Sequence, residues 1–370
     1  MTKEKLFSLE GRPVSEEIYG DIKDRLDKLP KPVNGCGRFE DIICRIGQAQ
    51  GSRTPNIYKK ALVVMSADNG IIEEGISQAG GYYTKVETEN MAKGVSSVSI
   101  MASSIGMKVV PVDIGINGDV DTECGVISAK VCNGTKNFLK DPAMTEQEAL
   151  KAIETGISLV KELKSEGYGI ICAGEMGVGS STTAVALICA ILDGDPSMLT
   201  GRGNGLSDRA LDRKIDVISE AMHIYGYDRD DVLYSSVLDS DFDKAVTHEK
   251  ERIFGMICNV GGLDIAGLVG LFIGGAIEGV PIVIDGIVSA AAALAAESLM
   301  PGCKKYMIAS HFGQEPATEL VFDHLEFKPV IQADISMGQG AGSVMIMPII
   351  DMVIKMYDEL EASENPYECE

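Results

Sequence analysis

The chain has 370 residues, enough for about two domains or for one large α/β domain with an appendage. Its 33 Lys+Arg against 55 Asp+Glu leave a formal charge of −22, a field that repels phosphate backbones and anionic headgroups and so argues against nucleic-acid and membrane-surface binding. With 45% hydrophobic and 24% charged residues, the composition is globular rather than disordered. An anionic ligand must therefore be held by local dipoles, against the sign of the whole molecule.

Residues 15–29 read as a polar helix closed by Pro30 and Pro32. Residues 61–66 (ALVVMS) form a short apolar run that stops at Ala67-Asp68-Asn69-Gly70, the pattern of a buried strand entering a loop. Residues 107–114, 168–173, 281–284 and 305–309 repeat that pattern. Helical patterns lie between them: 146–164 carries Ala149, Ile153, Ile157, Val160 and Leu163 on one face, and 182–192 and 289–299 are alanine-rich and apolar all round. Strands alternating with helices predict a mainly parallel sheet flanked by helices on both faces. Ligands of such sheets bind beyond the carboxyl ends of the strands, where Asp68, Asp113, Glu175 and Asp285 stand.

The most apolar region, 260–296, is interrupted by Asp264, Glu278 and Asp285 into pieces shorter than the roughly 20 residues of a membrane span, so it reads as core. Nine irregularly spaced cysteines without a CxxC pair argue against a disulfide framework or a zinc site and for reduced thiols in a cytoplasmic protein. No apolar run follows Met1-Thr-Lys-Glu-Lys5, so no signal peptide is expected. The acidic tail, 358–370, is expected to fray.

Five stretches carry candidate chemistry, and a sixth offers a candidate pocket. Gly174-Glu-Met-Gly-Val-Gly-Ser-Ser-Thr-Thr183 joins a strand to an alanine-rich helix, and its amides and hydroxyls suit an anion. It is not a nucleotide P-loop, because Ser180 stands where that motif needs lysine. The plainer alternative is a helix start capped by Ser180 or Ser181. Gly201-Arg-Gly-Asn-Gly205, with Lys214 beyond it, suits phosphate or ribose, or is an ordinary loop. Asp285-Gly286 offers a carboxylate to sugar hydroxyls, or a simple turn. Ser310-His311, with Glu315, offers an acid, base or ligand, or a structural histidine. Met337-Gly-Gln-Gly-Ala-Gly342 places Gln339 in a tight pocket, or is a helix-entry loop. Segment 77–91, with Ser77, Tyr82, Tyr83 and Asn90, is a candidate aromatic pocket against the alternative of a surface loop.

In this order the stretches resemble the nicotinate-nucleotide:dimethylbenzimidazole phosphoribosyltransferases of cobamide lower-ligand synthesis. The resemblance also takes in Gly37-Arg-Phe-Glu-Asp41, Ala67-Asp-Asn-Gly70 and Gly261-Gly-Leu-Asp-Ile-Ala266. It implies transfer of ribose phosphate from nicotinate mononucleotide to an aromatic base, forming an α-glycoside and releasing nicotinate, with no metal or other cofactor. It implies a Rossmann-like α/β domain (36–344) and a small helical domain built from both chain ends (1–35 and 345–370), in a dimer. Gly177, Ser180, Ser181, Thr182, Gly203, Lys214, Ser310 and His311 would take the phosphate and ribose, with Asp285 near the ribose. Ser77, Tyr82, Tyr83, Asn90 and Met337 would face the acceptor, and Glu175 would act beside Gln339 in catalysis.

The sequence also departs from that family. Gln339 stands where the family carries a glutamate taken as the base, and an amide cannot accept the acceptor's proton. Asn69 replaces a histidine, Ser180-Ser181 replaces Asn-Thr, and the proline after Val-Ser is missing near Ile76-Ser77. Three explanations compete. Glu175 or Glu315 serves as base in an active enzyme; the chain is one subunit of a heteromer with a related chain that keeps the glutamate; or it is a non-catalytic nucleotide-binding regulatory subunit. Two-subunit relatives that activate phenol or p-cresol favour the second.

Overall fold

The computed structural model describes residues 1–203, 205–228 and 242–362. Asn204 of the glycine-rich loop and residues 363–370 of the acidic tail, Cys369 included, lie outside the described residues. The main sheet runs in the order β3-β2-β1-β4-β5-β6. Its strands are β1 (Lys60–Ala67), β2 (Lys108–Gly115), β3 (Ile127–Ser128), β4 (Ile170–Met176), β5 (Ile282–Ile284) and β6 (Met307–Ala309). Every pairing is parallel. From β1 the chain winds outward through β2 and β3, then returns to the other side of β1 for β4, β5 and β6. The winding direction therefore reverses between β1 and β4, the topological switch point at which doubly wound sheets bind ligands.

All eight residues of β1 are buried, because helices cover both faces of the sheet. Val63 and Met65 point into one core with the helices Glu146–Ser165, Ser180–Leu192, Leu263–Glu278 and Ile287–Leu299. Leu62 and Val64 point into the other, built with Glu16–Asp27, Arg38–Gln50 and Met347–Glu359. Helices from both chain ends thus share one hydrophobic layer with the sheet. On the first face two helices touch backbone to backbone: a Cβ on Gly156 would collide with Gly267 O, and one on Gly270 would collide with Ile153 O. The predicted helix at 146–164 forms as Glu146–Ser165, started by a reciprocal capping box between Thr145 and Glu148.

The structure departs from the sequence reading at several boundaries. β4 continues three residues past Ala173, so Glu175 lies inside the strand. The following helix is not capped by Ser180 or Ser181: Gly179, at φ +94°, precedes it without a side-chain cap, and Ser180 is its first residue. Residues Cys303–Tyr306 form a 3-10 turn, leaving Met307–Ala309 as strand. β3 and a separate parallel pair, β7 (His311–Gly313) with β8 (Ile331–Ile335), carry no apolar-run signal because they are short or partly exposed. Among the described residues, no helix is long and apolar enough to cross a membrane. The eight cysteines among them are free thiols.

Candidate active site

The turn that leaves β4 is glycine for steric reasons. A Cβ on Gly177 would lie 2.5 Å from Ala67 O and 2.6 Å from Asp264 Oδ2. The chain can therefore pass over β1 only without a side chain there. Beyond this turn, at the carboxyl ends of β4, β5 and β6, lies a cavity of about 480 Å³. The β4 corner contributes Glu175, Gly177, Ser180, Ser181 and Thr182 to it. Gly203, Asp285, His311 and Glu315 close one side, and Ser77, Tyr83, Met337 and Gln339 line the rest.

Glu175 is the most perturbed group in the cavity. Its Oε2 is shielded and has no hydrogen-bond partner. Burial, and then the nearby Asp264 carboxylate, push its pKa from the ordinary 4.5 up to about 8, so it holds its proton at neutral pH. Asp264 is itself fully buried, and burial raises it to about 6. Its Oδ2 accepts from Asn69 Nδ2 at 3.2 Å and its Oδ1 from Ile265 N–H at 2.8 Å. Asn69 Oδ1 in turn accepts from Thr183 Oγ1 at 3.3 Å, which ties β1, the helix after β4 and the helix Leu263–Glu278 together behind the corner. No motif marks Asp264 as part of the site. The available signal was a carboxylate in an otherwise apolar helix.

Lys214 is fully buried. Its Nζ donates to Ser181 Oγ at 3.2 Å and to Gly201 O at 3.1 Å, and burial pulls its pKa down. Glu315 comes at the same loop from the cavity side: its Oε1 accepts from Gly203 N–H at 2.6 Å, and its Oε2 is buried without a partner. Ser181 and Gly203 on the cavity wall are thus brought together with Lys214, which does not itself line the cavity but stands behind them.

Several expectations need correction. Ser310 does not reach the cavity: it is fully buried and its Oγ donates to Ile284 O at 2.6 Å. Because that hydroxyl has one proton, the 2.8 Å contact to His311 Nδ1 assigns the imidazole proton to Nδ1. Burial lowers the His311 pKa, which keeps the ring neutral. Asp285 borders the cavity, and its oxygens accept from the Gly340 and Ser343 amides at 3.0 and 3.1 Å, so it also caps the helix Ala341–Met345. Tyr82 is 76% exposed and lines a neighbouring cleft with Asp68 and Asn117. Asn90 borders neither space and bonds Glu87 Oε2 at 3.3 Å. Ser77 keeps its place on the wall, with its hydroxyl turned back on Ala79 at 3.2 Å. Gln339 sits at φ +60° with Nε2 3.7 Å from Met176 Sδ, held over the end of β4. Among the described residues no cluster of His, Cys, Asp or Glu is arranged to hold a metal ion.

A doubly wound sheet with a glycine-turned, hydroxyl-rich crevice at its carboxyl ends defines the class, an α/β enzyme of the nucleotide-handling kind. Residues 12–365 match the phosphoribosyltransferase family DBI_PRT, and the chain belongs to that family, whose members are pentosyltransferases. A protein named nicotinate-nucleotide–dimethylbenzimidazole phosphoribosyltransferase from Acetivibrio thermocellus is 38% identical over 353 residues, covering 94% of each chain. One of the same name from Clostridium acetobutylicum is 35% identical, covering 95% of this chain and 94% of its own. Among solved structures, CobT from Thermus thermophilus superposes with a TM-score of 0.81 at 28% identity, covering 92% of this chain and 96% of that one. A structure of nicotinate-nucleotide-dimethylbenzimidazole phosphoribosyltransferase from the same organism gives 0.82 at 26% identity, covering 96% and 100%.

Proposed function

We propose that this chain transfers the ribose phosphate of nicotinate mononucleotide to an aromatic lower-ligand base, of the benzimidazole or phenol/p-cresol type, in cobamide biosynthesis. The names of its relatives support the donor and the benzimidazole-type acceptor. The observation that carries the chemistry is Glu175, with its Oε2 lacking a donor and its pKa raised, on the wall of a cavity large enough for a mononucleotide.

The reaction needs three things of the protein. The phosphate is held by Gly203 N–H, Ser181 and Lys214. The pyridinium of the donor then lies near Glu175, and its positive charge favours the ionised carboxylate. A lone pair of the acceptor forms the new bond to C1′ while the C1′–N bond breaks and nicotinate leaves with that electron pair. With Gln339 unable to take it, the proton shed by the acceptor goes, in the lone chain, to the ionised fraction of Glu175, which is small at neutral pH and makes this route slow. Negative charge near the departing base also stabilises the oxocarbenium character of the sugar, and holding donor and acceptor together lowers the entropic barrier. For a phenol, whose pKa is near 10, proton removal is the demanding step.

Gln339 supports a second element of this reading. It is a neutral amide on the cavity wall, where the resembling family carries a base. We therefore read the chain as one subunit of a heteromer with a related, glutamate-bearing chain, whose own turnover is slow. The alternative is a regulatory subunit that binds the nucleotide without catalysis. Nicotinate release by the purified chain, with dimethylbenzimidazole or phenol, is the test, paired with calorimetry of nicotinate mononucleotide. Binding with slow release supports the two-subunit reading. Fast release abolished by Glu175→Gln supports a self-sufficient site, and absence of binding overturns both.

A further inference from the structure

Glu315 precedes the helix Pro316–Leu325, yet its side chain does not cap that helix. It crosses instead to the loop at 201–203, where Gly203 N–H is the donor it meets and its second oxygen is left without one. The loop admits it only because position 201 lacks a side chain: a Cβ on Gly201 would collide with the Glu315 carboxylate. Arg202 also lines the cavity but forms no ion pair with it, bonding Leu206 O at 2.8 Å and Asp208 Oδ1 at 2.5 Å. On the far side of the same loop stands the fully buried Lys214 ammonium, whose polar contacts, Ser181 Oγ and Gly201 O, are both neutral. Among the described residues no carboxylate forms an ion pair with it. A buried ammonium without a contacting counter-ion is costly, and so is a shielded carboxylate oxygen without a donor. The two charges form no ion pair across the loop, although Glu315 acts on Lys214 through space and opposes the effect of burial on its pKa.

We propose that Glu315 is an internal stand-in for the ligand's phosphate. In the ligand-free chain its carboxylate occupies the Gly203 amide that a phosphate dianion takes, and it must swing out before that dianion reaches Gly203, Ser181 and Lys214 together. This inference rests on the reading of the site as a phosphate seat. A single internal charge keeps the loop shaped for an anion. A dianion replaces it because it gains both the amide and the ammonium, whereas an uncharged riboside gains neither charge and leaves Glu315 in place. Glu315 is thus a positioning residue that sets selectivity for the phosphorylated donor.

The test is calorimetric titration of inorganic phosphate into the full chain and into Glu315→Gln at neutral pH. Removing the like charge at the seat is expected to tighten phosphate binding at least roughly tenfold, about 1.4 kcal/mol. A merely structural Glu315 predicts the opposite sign, so unchanged or weaker binding overturns the inference, as does absence of phosphate binding in both proteins. Gly201→Ala is the second variant, because its methyl expels the carboxylate without deleting it; it too is expected to tighten binding, and a loss overturns the inference even if Glu315→Gln does not fold. Because the probe is inorganic phosphate, tightened binding without nicotinate release overturns only the proposed reaction.

Discussion

Replacing Glu175 by glutamine separates a strained functional group from a structural one. In the folded chain burial and Asp264 hold the Glu175 pKa at about 8, against an ordinary 4.5. The folded state therefore keeps a proton that the unfolded state gives up between those values. For an acid raised in this way the sign is unfavourable: the folded state loses stability as pH rises through the window from 4.5 to about 8. At about 1.4 kcal/mol per pH unit the full window is worth roughly 5 kcal/mol. Glutamine mimics the protonated acid and does not titrate, so the variant escapes the loss. Its advantage over the native chain is expected to be under about 1 kcal/mol near pH 5, about 3 kcal/mol near pH 7 and roughly 4–5 kcal/mol near pH 8.5. Urea unfolding across that range measures it, with the same variant assayed for nicotinate release. Greater stability with lost activity is the signature of a site residue kept at a cost to the fold. A stability difference that does not change with pH refutes the reasoning, since it removes the burial and charge repulsion on which the assignment of Glu175 rests.

Gln339→Glu is expected to raise nicotinate release by the lone chain, by roughly the 10²-fold or more that a positioned general base supplies; no change places the base elsewhere. Gly177→Ala forces a methyl to 2.5 Å from Ala67 O, and chemical denaturation is expected to show a loss of about 1–3 kcal/mol together with lost turnover. Lys214→Met removes a buried ammonium that has no ion-pair partner among the described residues. Unfolding is expected to show stability unchanged or increased, while calorimetry shows phosphate affinity at least roughly tenfold weaker.

The layered architecture and the location of the crevice are legible in the order of residues alone. Buried parallel strands must be apolar on both faces, so β1 and β2 are legible as short unbroken runs, and the helices between them as apolar stripes or alanine-rich cylinders. Glycines between a strand and a helix marked the corner at Gly177–Gly179 for the same local reason, that only glycine takes the required conformation or approach. Tertiary structure alone decided what each polar group at that corner faces. Nothing near Asp285 in the chain shows that Gly340 and Ser343, more than fifty positions away, take both of its oxygens. Nor does local sequence turn Ser310 onto Ile284, swing Tyr82 out to another cleft, or set Asp264 beside Glu175. Hydrogen-bond partners and desolvation are properties of the three-dimensional neighbourhood: they follow from how strands and helices stack, and a linear pattern records only which elements stack, not which side chains then meet.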